Sequence, residues 1–130
     1  MAYYLDTSAL VKLVVAEAET PALRAWLAES DRGAVACDLV RTELMRAVRR
    51  AAPDRVVLAR QVLEGVTLTE LTPAIFDAAG RLDPYIPRTL DAVHLAAALD
   101  LSDDLEGMVT YDDRLAAAAR ANGVAVTAPA

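Results

Sequence analysis

The chain has 130 residues, with 13 basic and 19 acidic side chains for a formal net charge of −6, 55% hydrophobic and 25% charged residues. That length suits one domain, residues 1–130, able to bury a sizeable core, and the composition is globular rather than disordered. No apolar run is long enough to span a bilayer, no basic region and cleavage site mark a secretory signal, and Cys37 is the only cysteine. The expectation is therefore a cytoplasmic protein without membrane association, internal disulfide or thiolate metal cluster.

The opening Ala2-Tyr3-Tyr4-Leu5 is a short apolar run, read as a buried strand, and it ends on Asp6. Ser8 to Val15 reads as a short apolar helix, and Thr20-Pro21 supplies an N-cap and first-turn proline for a helix to about Glu29. Gly33 precedes a second strand, Ala34-Val35-Ala36-Cys37. Asp38 is expected to cap a helix reaching Ala51, which Ala52-Pro53 breaks. A helix from Asp54 to Glu64 stops at Gly65, and Val66 to Leu71 is the third strand. Thr72-Pro73 repeats the cap-and-proline signal for a helix ending near Gly80, and residues 83–87, with two prolines, form a loop. Thr89 to Leu101 is a helix so rich in Leu, Val and Ala that burial is required. Met108-Val109-Thr110 is the fourth strand, Asp112 to Asn122 the last helix, and Val124-Ala125-Val126 a final strand after Gly123. Strands separated by helices, without hairpin signals, predict an α/β fold with a parallel sheet covered on both faces.

In such a sheet, ligands bind at the carboxyl ends of the strands, and four carboxylates are delivered there. Asp6 follows strand one and Asp112 follows strand four; Glu43 is early in the helix after strand two, and Asp91 is in the first turn of the helix leading into strand four. Each has a plainer reading. Asp6 and Asp112 suit N-caps, Asp91 suits the helix dipole, and Glu43 can pair with Arg46 one turn on. As a set they repel unless a cation sits among them, and carboxylate oxygens without clustered His or Cys favour Mg²⁺, with Mn²⁺ as substitute. Such a site suits in-line attack on a phosphodiester. The net charge runs against a nucleic-acid partner, yet Arg41, Arg46, Arg49, Arg50 and Arg55 lie in one short segment and can form a basic rim.

The stretches Leu5-Asp6-Thr7-Ser8-Ala9-Leu10, Arg41-Thr42-Glu43-Leu44, 90–98 (Leu90-Asp91-Ala92-Val93-His94 onward) and Thr110-Tyr111-Asp112-Asp113-Arg114-Leu115 together resemble the PIN-domain family, most closely its VapC toxins. The resemblance implies a three-layer α/β/α sandwich with strand order 3-2-1-4-5. It implies a metal-dependent endoribonuclease, the toxin of a type II toxin–antitoxin system, with Asp6, Glu43, Asp91 and Asp112 as catalytic acids and metal ligands. RNA as substrate, a VapB-like antitoxin and a homodimer are implied in the same way.

Thr7, Ser8 and Thr110 carry hydroxyls next to the proposed ligands, where they can support a carboxylate or simply cap helices. Asp113 is either a water-mediated ligand or a solvated first-turn acid. His94, the only histidine, is one turn after Asp91 and can bond to it, but a satisfied histidine at the core's edge is the expectation. Trp26, with Leu23 and Leu27, is expected in the core or a dimer contact. The competing functions are a PIN-fold nuclease of RNA processing or structured DNA, a phosphohydrolase or receiver domain, and a non-catalytic nucleic-acid-binding module. Ser8 stands where a phosphohydrolase would carry a second Asp, and Lys12 is the only lysine, which leaves a receiver domain without its late one.

Overall fold

A computed structural model describes residues 1–29 and 32–130. Its strands β1 (Ala2–Leu5), β2 (Gly33–Cys37), β3 (Thr67–Thr69), β4 (Leu105–Val109) and β5 (Val126–Thr127) form one sheet in the order β3-β2-β1-β4-β5. Every pairing is parallel, with Tyr4 opposite Val35 on one side and Met108 on the other. The helices are α1 (Thr7–Val14), α2 (Thr20–Ala28), α3 (Leu39–Ala51), α4 (Val56–Glu64), α5 (Pro73–Gly80), α6 (Thr89–Leu99) and α7 (Asp113–Ala121).

The twofold alternation of a strand divides the core in two. Tyr4, Cys37 and Met108 face a cluster with Ile75, Leu95 and Leu115 from α5, α6 and α7. Their neighbours Leu5, Ala36 and Val109 face the other way, onto Leu10, Leu23, Leu44 and Ala59 from α1 to α4. The three-layer α/β/α sandwich and its strand order are as expected. α6 is buried over Ala92 to Ala98, hence its apolar sequence.

Local chemistry sets the element ends. Asp6, Thr72 and Asp112 each cap a helix by accepting from a backbone N–H two or three residues on. α7 ends in a Schellman motif: Gly123 at φ +76° donates to Arg120 O, and Val124 donates to Ala119 O. Two expected caps are absent. The Asp38 side chain makes no cap bond and pairs with Arg41 Nε at 2.8 Å instead. Thr20 lies inside α2, its hydroxyl donating to Lys12 O and accepting from Glu17 N, so it ties the α1–α2 connection together.

Several boundaries also move. β3 is three residues rather than Val66 to Leu71, β4 begins at Leu105, and β5 sits at Val126–Thr127 rather than Val124 to Val126. The helix expected from Asp54 opens with a 3₁₀ turn, Pro53–Arg55, and α6 stops at Leu99. Trp26 is half-buried, its ring edge-on to Tyr3 at 4.7 Å and under the Arg32 guanidinium at 4.1 Å, so it closes the rim of the second core cluster.

Candidate active site

β1 and β4 lie side by side, so their carboxyl ends bring Asp6 and Thr110 together; Asp6 N–H donates to Val109 O. The chain leaves β1 directly into α1 and β2 into α3, while α6 starts at the same rim from the opposite layer. The result is one cavity of about 330 Å³ bordered by Asp6, Glu43, Asp91 and Asp112, together with Thr7, Ser8, Arg88 and His94. All four expected acids are thus collected at one place.

Asp6 is the innermost, 4% exposed. Its Oδ1 accepts from Ser8 Oγ at 2.7 Å and from Ala9 N at 3.2 Å, and its Oδ2 from Thr110 Oγ1 at 2.8 Å. Burial raises its pKa above the ordinary carboxyl value, and these donors pull the other way. Ser8 Oγ itself accepts from Tyr111 N, so one hydroxyl holds the β4 exit against the β1 exit. Asp6 therefore caps α1 and also faces the cavity; the two readings of this residue coexist.

Glu43 does not pair with Arg46. Its Oε1 accepts from Thr7 Oγ1 at 2.6 Å and from His94 Nε2 at 2.7 Å. Burial would raise the Glu43 carboxyl, but the bonds from His94 and Thr7 win and hold it below its usual value. His94 likewise bonds Glu43 rather than Asp91. Burial alone would depress its pKa, yet Cys37 and Glu43 push it up to about 10. Protonated, it donates from Nε2 to Glu43 and from Nδ1 to Tyr4 Oη at 2.7 Å. Cys37 Sγ is 3.9 Å from Nδ1 and fully buried, so the thiol belongs to this packing and has no access to a substrate.

Asp91 and Asp112 share one arginine. Arg88 Nε donates to Asp91 Oδ2 and its Nη2 to Asp112 Oδ2, both at 2.6 Å. Asp112 Oδ1 caps α7, and although burial would raise its carboxyl, Arg88 and the cap amides hold it below its ordinary value. Asp113 is exposed in the first turn of α7, away from the cavity wall. Arg88 stands i, i+3 from Asp91, a spacing legible in the sequence, whereas its contact to Asp112, 24 residues away, is set by the fold. Arg41, Arg46, Arg49, Arg50 and Arg55 are all exposed, on or just after the helix that carries Glu43.

The donor set suits a small hard cation: four carboxylates face one guanidinium, and among the described residues Glu43 Oε2 and Asp91 Oδ1 accept no hydrogen bond. In the present arrangement no three acid, His or Cys side chains among the described residues converge tightly enough to enclose an ion. The Arg88 guanidinium supplies positive charge there instead.

A family model for the PIN domain matches residues 3–121. The chain belongs to the PIN-domain family. Within it, the chain is 42% identical to ribonuclease VapC47 of Mycobacterium tuberculosis over 130 residues, covering 97% of this chain and 96% of that one. It is 43% identical to ribonuclease VapC46 of the same organism over 128 residues, covering 98% of each. Among solved structures, this PIN domain superposes on M. tuberculosis VapC20, a sarcin–ricin loop cleaving toxin, with a TM-score of 0.78 at 17% identity over 98% of this chain and all of that one. A toxin–antitoxin complex from Klebsiella pneumoniae gives 0.75 at 18% identity, covering 99% and 98%. At those identities the structural likeness speaks for the PIN fold alone. No helix among the described residues is long and apolar enough to cross a membrane.

Proposed function

We propose that the protein is a metal-dependent endoribonuclease acting as the toxin of a type II toxin–antitoxin pair. The observation that carries this is the meeting of Asp6, Glu43, Asp91 and Asp112, from four separate elements, in one cavity at the carboxyl edge of the sheet. Near-full-length identity to two proteins named as VapC ribonucleases supports RNA as the substrate.

Asp6, Glu43, Asp91 and Asp112 would hold Mg²⁺, or Mn²⁺ in its place. Bound there, the metal supplies Lewis-acid stabilisation of phosphoryl charge and a water of lowered pKa. The chain's own residues do the rest. Thr110, Ser8 and the Ala9 amide fix both oxygens of Asp6, while Thr7 and His94 fix Oε1 of Glu43 and leave Oε2 without a hydrogen bond among the described residues. Arg88, once its carboxylate partners take up a metal, is a guanidinium at the cavity wall able to bind a phosphate through two N–H groups. A VapB-like antitoxin as partner and a homodimer complete the reading. Solved PIN-fold structures described as a toxin–antitoxin complex and as VapBC2 of Rickettsia felis support the former.

The test is cleavage of RNA by purified protein with Mg²⁺, with Mn²⁺ and with chelator, alongside Asp6→Asn and Asp91→Asn. Cutting should require metal and vanish in both variants while their circular dichroism stays native. Equal cutting by wild type and variants, free of contaminating nuclease, would overturn the proposal.

A further inference from the structure

A second cavity, of about 250 Å³, adjoins the acidic one, and the two have Arg88 and Asp91 as common walls. Its floor is the apolar side of α7, with Ala117, Ala118 and Ala121, and its opposite wall is the segment Pro84-Tyr85-Ile86-Pro87. Tyr85 is 83% exposed, the most exposed large aromatic among the described residues, in a segment where two prolines limit the backbone freedom that would otherwise be lost on binding. Arg114 lines the cavity and makes no ion pair among the described residues, so it places one uncompensated cation at a rim where Arg88 is taken up by Asp91 and Asp112.

We infer that this cavity is a nucleotide subsite: it receives the base of one nucleotide beside the scissile phosphodiester, stacked on Tyr85, with its phosphate at Arg114. The inference rests on the ribonuclease reading and extends it to how the strand is held. An aromatic face and small apolar walls accept any base, since every base has a π-face. The Arg114 guanidinium at the mouth matches a phosphate, whereas a purely apolar protein segment gives it nothing to pair with. Continuity through Arg88 and Asp91 gives one strand a path from this cavity into the acidic one.

The probe is adenosine 5′-monophosphate, which contains no phosphodiester to cut, titrated without metal into ¹⁵N-labelled full-length protein, with inorganic phosphate in parallel. The backbone amides of Tyr85, Ile86, Ala117 and Ala118 should shift saturably with the nucleotide and far less with phosphate. Tyr85→Ala should weaken the nucleotide at least about fivefold, from the loss of about 1 kcal/mol or more of stacking. Tyr85→Phe should retain it, and Ala117→Trp, at an exposed position on the cavity wall, should block it. Equal shifts from phosphate alone, or a Tyr85→Ala titration identical to wild type, would overturn the inference. Shifts that follow protein concentration and ignore the nucleotide would assign the patch to a second copy of the chain and overturn it too. None of these readouts requires nuclease activity, so the subsite and the catalytic reading fail separately.

Discussion

His94 Nε2 lies 2.7 Å from Glu43 Oε1 and links α6, in one helical layer, to α3, in the other, across the end of the sheet. Tyr4 of the central strand holds the far side of the same ring. Glu43 is thus oriented by a residue 51 positions away. Replacing His94 with Phe should lower RNA cleavage at least tenfold with the fold retained. Tyr4→Phe should have a smaller effect on cleavage but lower unfolding free energy by about 1–3 kcal/mol, because a buried ring N–H loses its partner. Paired cleavage assays and urea titrations separate the two effects.

Arg88 bridges Asp91 and Asp112, offsetting the charge that a metal would otherwise neutralise. Arg88→Gln should lower the melting temperature in chelator and enlarge the upward shift that millimolar Mg²⁺ produces, since carboxylate repulsion is then relieved only by the ion. Differential scanning fluorimetry across a Mg²⁺ series reads both. A variant as stable as wild type in chelator, with an unchanged Mg²⁺ shift, contradicts this role.

Away from the cavity, Lys12 is buried, its ammonium 2.8 Å from Glu19 and 3.4 Å from Glu17, and 4.7 Å over the Tyr111 ring. Burial would lower the Lys12 pKa, but its acidic partners raise it above 10.5, and the bond from Lys12 lowers Glu19 below 4.5. A raised lysine gives stability that is complete below its unfolded pKa and lost as pH climbs through the folded one. A lowered carboxyl gives stability that is complete above its unfolded pKa and lost as pH falls through the folded one. This pair therefore contributes a plateau between about 4.5 and 10.5 that declines beyond either end. Lys12→Met should lower the melting temperature and shrink the alkaline decline, leaving the part that His94 contributes as pH rises through about 10, which thermal melts from neutral to strongly alkaline pH can follow.

Gly107 sits where β4 passes Tyr3, and a Cβ there would meet Ala125 O at 3.0 Å and the Tyr3 ring at 3.3 Å. The carbonyl belongs to the backbone and cannot rotate away. Gly107→Ala should cost about 1–3 kcal/mol of stability by overpacking, measured as a lower urea midpoint with an unchanged slope.

The strand-to-helix junctions were legible because their signals are local. An apolar run ending on Asp6 or Asp112, and Thr72 before a proline, each carry their chemistry within a few residues. Thr20 and Asp38 show the limit of the same signal. Both have cap-forming side chains, but Lys12 O and the Arg41 guanidinium compete for them. The pairings within the cavity were harder to read. Helical spacing offered Arg46 to Glu43 and Asp91 to His94, while the folded chain pairs Glu43 with His94 and Asp91 with Arg88. Only the packing of α6 against β1 and β2 decides which way His94 turns, and no spacing within one helix contains that.

The two outermost strands of the sheet, β3 and β5, are three and two residues long. A strand so brief presents few open N–H and C=O groups as a template for another chain, so runaway edge-to-edge aggregation has little to start from. Association of this protein is accordingly left to side chains on its helices and loops, which makes it selective for partners shaped to fit.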